Sequence, residues 1–492
     1  MGMTGVRLGA TALCTAFFSI SSATALAQQH VPIGGRTATM GGAGIAAGND
    51  SALPYLNPAG LAGVPNDIFG VSASLFAYRE RSVETVFFPR GFPASFGPTR
   101  IDDETNSSSN TFELPSSVMY FKRIASSEEF TALAGFALVI PEIERFRLSP
   151  SLDARLTNVA GRLLEDVTIK RDFTAYHVGP SYAMSLGRRL RVGASLFARY
   201  TVFDEANSSS RFLQLGNNAA ASDNAQTFTL KRETLAFAPV LGTQVNVAES
   251  LWLGLSLHVP SINLWGRVDG ASTISDTTSD PADLSRVTNF SQDTTLHADT
   301  WRNDQPLRVG LGVAWDDRQS FSAALDFVYR ASRIDALSGH GVRHVTQYET
   351  GDIVRDRDER VEGSHEIAQG IEVHAGVEVA LTALFALRAG GFYIDPLPAD
   401  EPVQWQTWER EVGGSLGLGI TAGSFDSTLG LSFTHTSGDF YALDEASGGL
   451  VSTETSSNTL FVVLSGSVTA EEAKKTIEDS VPVQVTPEVG TP

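Results

Sequence analysis

Side chains able to do chemistry are scattered rather than gathered in this chain of 492 residues. His340 and His344 are four apart, the interval that puts two metal ligands on one helix face. No Glu completes a His-Glu-x-x-His arrangement, and the surrounding residues read as a solvated loop. His258 and His374 are expected to face the lumen with serines available, as a Ser-His acyl-transfer pair would need, but neither has a nucleophile elbow beside it. The acidic runs 276–283 and 352–362 lack the regular ligand spacing of a calcium loop. No enzyme is expected: no catalytic residue, no metal site and no cofactor.

The first residues identify a compartment. One positive charge at Arg7, a short apolar run over residues 8–20 and the small-x-small pattern Ala25-Leu26-Ala27 mark residues 1–27 as a cleavable signal peptide. The run falls well short of the roughly 20 residues that a spanning helix requires. Cys14, the only cysteine, leaves with this leader, so the mature chain has no thiol for a disulfide, a metal site or a nucleophile. The chain carries 36 Lys and Arg against 56 Asp and Glu, a formal charge of −20. That balance argues against nucleic acid as a partner, since phosphate binding needs a basic patch. No stretch of the mature chain approaches the roughly 18 uninterrupted apolar residues of a membrane helix.

What repeats is a unit of period-2 segment, tight turn, period-2 segment and long polar loop. Leu251, Leu253, Leu255, Leu257 and Val259 fall on one face of a strand while Trp252, Gly254, Ser256 and His258 fall on the other, because successive side chains point opposite ways. Leu190, Val192, Ala194, Leu196, Ala198 and Tyr200 alternate in the same way with Arg191, Gly193, Ser195, Phe197 and Arg199.

A soluble sandwich also alternates, but three features favour a membrane barrel. The segments run to about 11–15 residues, suited to tilted spans. Tight turns near residues 186–188, 248–250, 316–318 and 424–426 alternate with polar loops near 142–170, 204–228, 266–303 and 333–368, short on one side and long on the other. Trp252, Trp265, Trp301, Trp315, Phe327, Tyr329 and Tyr393 cluster at segment ends like interfacial girdles. The expected strands are 68–78, 114–124, 129–141, 171–185, 189–203, 229–247, 250–265, 304–315, 319–332, 368–382, 384–395, 411–423, 426–438 and 455–468. The fold is therefore all-β, a transmembrane antiparallel barrel of about fourteen strands, an even number that puts both chain ends on the periplasmic side.

Gly35-Arg36-Thr37-Ala38, Gly41-Gly42-Ala43-Gly44 and Asn57-Pro58-Ala59-Gly60-Leu61 open the mature chain. Leu257-His258-Val259-Pro260-Ser261, Pro306-Leu307-Arg308-Val309-Gly310 and Arg388-Ala389-Gly390 through Tyr393-Ile394-Asp395-Pro396-Leu397-Pro398 follow in order. Together these resemble the FadL/TodX family of outer-membrane transporters for long-chain fatty acids and hydrophobic compounds. The resemblance implies a hatch over residues 28–66 inside a barrel over 67–468, with Asn57, Pro58, Ala59 and Gly60 as hatch and gating residues. It also implies passive uptake with lateral exit through a gap made by an inward kink of the third strand. Gly135 and Pro141 stand in that place, since glycine and proline in a strand mark bends or lost ladder bonds. Outer-membrane lipid and a hydrophobic small molecule or long-chain fatty acid are then the partners, with a monomer in the outer membrane of a Gram-negative cell.

Each residue has a plainer reading. Asn before Pro often starts a turn, Gly135 and Pro141 also suit a barrel rim, and lumenal charges are normally paired. A carboxylate ligand needs a cation, for which Arg199 and Arg388 are the candidates, with Arg191, Arg308 and Lys122 behind them. Asp326, Glu372 and Glu378 are acids that those arginines could pair with instead. The alternative function is a FadL-like barrel serving as a secretion or surface-anchoring scaffold, for which a sealed, salt-bridged lumen would speak and an apolar one would not. Residues 469–492, rich in Pro, Val and Thr at their end, depart from the family pattern and read as a disordered periplasmic tail.

Overall fold

The computed structural model describes residues 29–64, 67–84, 106–127, 129–155, 161–215, 220–280, 283–317, 320–367, 369–396, 407–423, 425–444 and 449–469. The expected signal peptide with Cys14 and the residues beyond Thr469 lie outside them.

Fourteen antiparallel strands close into a barrel. They are β1 (Ile68–Val83), β2 (Asn106–Ser126), β3 (Phe130–Leu148), β4 (Gly161–Leu186), β5 (Leu190–Leu215) and β6 (Ala220–Ala248). Next come β7 (Leu251–His258, continued by Ile262–Asp280), β8 (Asp283–Ala298, continued by Arg302–Asn303 and Arg308–Asp316) and β9 (Phe321–Arg330, continued by Arg333–Glu349). The last five are β10 (Asp352–Ile367, continued by Gly370–Ala380), β11 (Phe385–Pro396), β12 (Thr407–Ala422), β13 (Phe425–Asp444) and β14 (Gly449–Thr469). The ring closes where β1 pairs with β14, from Ile68 opposite Thr469 to Val83 opposite Thr455. Each of the fourteen expected segments falls on one of these strands.

The alternation decides which way each side chain faces. On β7, Leu253 and Leu255 are exposed on the outer wall while Trp252, Ser256 and His258 are buried inside. The outer wall carries exposed leucines, valines and phenylalanines from every part of the ring, including Leu196, Leu311, Leu325, Leu387, Leu416, Leu431 and Leu464. An apolar surface this continuous exceeds what a water-soluble protein leaves uncovered, so hydrocarbon is its solvent. Trp265, Trp315, Phe327, Tyr329 and Tyr393 stand on that outer face. Trp252 and Trp301 instead point inward and are buried, so they do not belong to a girdle.

The long polar loops of the sequence reading are mostly strand. β4 to β10 run far past the apolar band as paired hairpins, β5 against β6 from Leu190–Val245 to Leu215–Ala220 and β9 against β10 out to Glu349 and Asp352. Beyond Trp265 the outward positions of β7 become Arg267, Ala271, Thr273 and Thr277. Where water bathes the outer face there is no apolar alternation to read, yet the ladder continues. His340 and His344 accordingly lie on β9, and His344 pairs with Asp358 at 2.8 Å and Asp356 at 3.2 Å.

Residues 31–64 form no sheet. They hold two single-turn helices, Arg36–Thr39 and Leu53–Leu56, and a 3-10 helix, Pro58–Gly63. Nearly all are buried. Their neighbours come from all sides of the ring: Ser465 and Thr428 beside Gly35, Gly391 beside Gly41, Gly254 and Gly312 beside Ile45, Gly242 beside Asn57 and Gly193 beside Pro58.

The contrast between band and extension gives a test. Leu255→Arg, on the lipid face, should cost about 2–4 kcal/mol in reversible urea unfolding from lipid vesicles, and Thr273→Arg, on the same face beyond the band, about 0–1 kcal/mol.

Candidate functional site

Inside a barrel a chain without a sheet must find partners for its backbone groups elsewhere, since buried N–H and C=O groups cannot go unpaired. Here the wall supplies them with side chains. Asp326 on β9 accepts the N–H of both Gly44 and Ile45, at 2.7 and 2.9 Å. His374 on β10 donates Nδ1–H to Gly41 O at 2.8 Å, and Ser415 Oγ on β12 accepts from Gly41 N–H at 2.9 Å. Ser195 Oγ on β5 donates to Pro54 O at 2.7 Å, and Ser256 on β7 donates to Leu56 O. Arg36, itself buried, holds Glu378 of β10 at 3.1 Å, Ser322 of β9 at 2.9 Å and Ala47 O at 2.5 Å.

Asn57 is more than a turn starter. Its Oδ1 caps the 3-10 helix by accepting from Ala59 N–H at 3.1 Å, while Nδ2 donates to Ile45 O at 2.7 Å and to Thr243 O of β6 at 3.1 Å. One fully buried amide thus ties both arms of the segment to the wall. Gln244 adds a second donor to Ile45 O, at 3.0 Å. Pro58, Ala59 and Gly60 follow inside the cap and are buried. Close approach explains the glycines opposite: a Cβ on Gly390 would sit 2.1 Å from Met40 C, and Gly41 itself has φ +68°.

The segment meets two kinds of wall. Leu53, Tyr55, Leu61, Ala62 and Val64 pack against Phe121, Leu133, Val139, Phe197 and Val240 on β2–β6. The Arg36–Ile45 arm faces the acids and bases of β9–β11. Apolar contact thus dominates where the segment meets β2–β6, although the buried pairs Arg171–Glu144, Arg171–Glu205 and Arg199–Glu142 lie on β3–β5 as well, so the lumen stands between the two extremes that would separate a channel from a scaffold.

A break in the ladder lies between β2 and β3. The two strands pair from Ser126–Thr131 up to Ser117–Val139, and among the described residues no pairing between them continues above that point. β3 stays on β4, but with a register shift between Val139 and Glu142 that leaves Ile140 and Pro141 as the bulge. Proline has no N–H for a ladder, and Ile140, Pro141, Ile143 and Glu144 are all buried. A two-residue strand, Gln29–His30, pairs with the resulting edge at Ile143 and Glu142. The ladder is intact at Gly135, which is opposite Phe121 on one side and Ser181 on the other. There a Cβ would lie 2.0 Å from Tyr120 O, so the glycine serves local strand geometry, whereas the β2–β3 pairing ends at Val139, two residues before Pro141.

Two cavities adjoin this segment. A chamber of about 70 Å³ beside Pro141 is lined by Tyr55, Glu142, Arg199, Arg308 and Glu372 among others. A larger one, about 420 Å³, lies toward the short-turn side between Arg36, Arg191, Trp252, Asp316 and Glu378. Both carboxylate-ligand candidates are already paired. Arg199 holds Glu142 at 3.2 Å and Asn303 O at 2.8 Å; Arg388 pairs with Glu378 and donates to Thr428 Oγ1 at 2.6 Å. Arg308 pairs with Glu372 at 2.6 Å. Lys122 is exposed on the outer wall.

Sequence reasoning passed over Asp326 as a backbone acceptor, Gln244, Arg36 and His374 as anchors. Their signal was an inward-facing polar side chain in a membrane strand, which an alternation count marks but cannot pair. Gly413-Gly414-Ser415-Leu416-Gly417 has the letters of a nucleophile elbow, but it lies within strand β12 and Ser415 is engaged by Gly41.

Solved structures share this architecture. A Pseudomonas aeruginosa FadL homologue is 13% identical with a TM-score of 0.54, over 90% of this chain and 100% of that one. The CymD monoaromatic hydrocarbon channel is 12% identical with a TM-score of 0.51, over 90% and 99%. The Ralstonia pickettii toluene transporter TbuX is 14% identical with a TM-score of 0.51, over 89% and 98%. At such identities the likeness is one of fold. No family model and no curated protein matches the chain.

Asn57→Ala removes a cap and a clamp together and should cost the segment about 1–2 kcal/mol. Amide exchange over residues 58–64 should quicken by roughly 5–30-fold while the barrel ladder keeps its protection. Asp326→Ala should do the same at Gly44 and Ile45.

Proposed function

We propose that this chain is an outer-membrane transporter that takes up hydrophobic compounds, long-chain fatty acids among their possible classes, by passive diffusion. Residues 31–64 act as its hatch, and the break between β2 and β3 is its exit. The observation that carries the reading is that seam: a closed barrel abolishes edges because lipid cannot satisfy them, and here β2 and β3 part beside a buried proline, with only the two residues Gln29–His30 on the freed edge. The fold likeness to a FadL homologue, a hydrocarbon channel and a toluene transporter points the same way.

The physics of the cargo favours a side exit. Each buried methylene is worth about 0.8 kcal/mol, so a long chain leaving an apolar site for water gives up on the order of ten kcal/mol. Leaving for bilayer lipid gives up little. The tightly hydrogen-bonded hatch blocks the axial route, and Phe121, Leu133, Val139 and Phe197 form an apolar wall next to the seam. On this reading the transporter works as a monomer, with lipid as the receiving phase, its leader is residues 1–27 and its periplasmic tail is residues 469–492.

Deleting Pro141 removes the extra residue from β3 and lets its upper half rejoin the ladder. In liposomes loaded with an acyl-CoA synthetase, uptake of a fluorescent long-chain fatty acid or of labelled toluene should fall to the protein-free rate, while the heat-modifiable band of a folded barrel persists. Undiminished uptake by a correctly folded deletion variant would remove the lateral exit from the account.

A further inference from the structure

The chamber beside the exit lies between two pieces of chain that cross the lumen. Tyr55 and Leu56 of the enclosed segment line it, and so do Asp304, Gln305 and Pro306. At about 70 Å³ it is smaller than the roughly 150 Å³ that holds a benzene ring, so a hydrophobic cargo enters only if one of these pieces moves. The enclosed segment is bound to side chains on β5, β7, β9, β10 and β12. Residues 299–307, which join the upper stretch of β8 to its lower one, take little part in the ladder. Among the described residues they pair only at an isolated bridge from Thr300 to Gly266 and at Arg302 and Asn303, opposite Ser338 and Leu337 of β9. The ladder between β7 and β8 stands without them on either side, at Val268–Ala298 and at His258–Arg308.

These residues run inside the ring rather than along it. A Cβ on Gly266 of β7 would sit 1.8 Å from Trp301 O, and one on Gly339 of β9 would sit 2.9 Å from the indole, so the two glycines make room for a chain crossing their inner faces. Asn303 then reaches past β6 and β7 to β5, where Arg199 donates to its carbonyl at 2.8 Å and its Nδ2 stands 3.5 Å from Thr201 Oγ1. Gln305 is fastened by Ser261, whose Oγ accepts the Gln305 N–H at 2.7 Å and whose own N–H donates to Gln305 O at 3.0 Å. Trp301, fully buried, packs among Phe173, Phe203, Phe228, Val268 and Leu296 on the inner faces of β4–β8, towards the long hairpins, with the Arg232 guanidinium 4.8 Å from its ring. The chamber is thus covered on the long-hairpin side by residues 299–307, as it is on the short-turn side by residues 31–64. What holds this cover closed is one indole in an apolar nest and a few hydrogen bonds, so moving it leaves the barrel's strands paired.

We infer that residues 299–307 are the entry gate of the transporter, a strap latched by Trp301 that swings off β5 to let cargo pass from the long-hairpin side into the chamber. This rests on the transport reading and adds the step that precedes exit at the seam. Cys14 is the chain's only cysteine, so protein begun at Gln28 has no thiol and accepts an engineered pair cleanly. Thr201→Cys with Asn303→Cys ties the strap to β5, linked by oxidation or by a short bis-methanethiosulfonate and verified by mass spectrometry. Uptake of a fluorescent long-chain fatty acid and of labelled toluene into liposomes is then measured on one preparation, linked and after reduction. The linked protein should fall to the protein-free rate while keeping the heat-modifiable band of a folded barrel, and reduction should restore uptake. Ser261→Cys with Gln305→Cys fastens the other end of the strap and gives the same comparison if the first pair does not fold or does not link. Equal uptake by the linked and reduced forms overturns the gate and leaves transport standing. Failure of the unaltered protein to take up either probe removes the transport reading, and the gate with it.

Discussion

A segment of chain enclosed by a barrel has nowhere to hide its backbone. Residues 31–64 contain only three short helices, far too little to satisfy their own N–H and C=O groups, so the inner wall has to be written around them. That requirement explains the wall's composition. Asp326, His374, Ser415, Ser195 and Ser256 are placed where backbone atoms arrive, and glycines at 193, 242, 254 and 390 stand where the two backbones touch. Arg36 and Asn57 work in the reverse direction, from the segment outward to Glu378 and Thr243.

The same economy separates the two halves of the interior. Where the Arg36–Ile45 arm is held, the wall beside it carries Asp326, His374 and Glu378. Where the segment is held by Leu53, Leu61 and Val64, the wall is apolar, and it is on this side that the ladder opens between β2 and β3. On the proposed route a hydrophobic solute would pass beside the interruption between β2 and β3, with the polar anchors keeping it from the axial path.

Much of this was legible in the sequence where one solvent dominates. Leu253 and Leu255 against Gly254 and Ser256 declared a strand with lipid on one side, and the fourteen spans followed from repeats of that pattern. Above Trp265 the outer face meets water and no longer alternates with an apolar partner, so strand and loop look alike, which is why His340 and His344 read as loop residues. The inward face was legible as a list of residues and not as a set of pairs: Arg199 and Arg388 were visible as lumenal cations, but Glu142 and Glu378 as their partners depend on register across the ring. Pro141 announced a defect through its missing N–H, whereas Gly135 suggested one that the ladder does not contain.

The central claim is that cargo leaves sideways at the seam. It is tested most directly by photo-cross-linking a long-chain probe, bearing a diazirine near its tail, to the protein in lipid vesicles and mapping the adducts by mass spectrometry. The account predicts adducts on Ser117, Val139, Pro141 and Ile143, which border the unpaired stretch of β2 and β3. Adducts confined to Arg36, Trp252 and Glu378, around the cavity on the short-turn side, would show an axial path and contradict it.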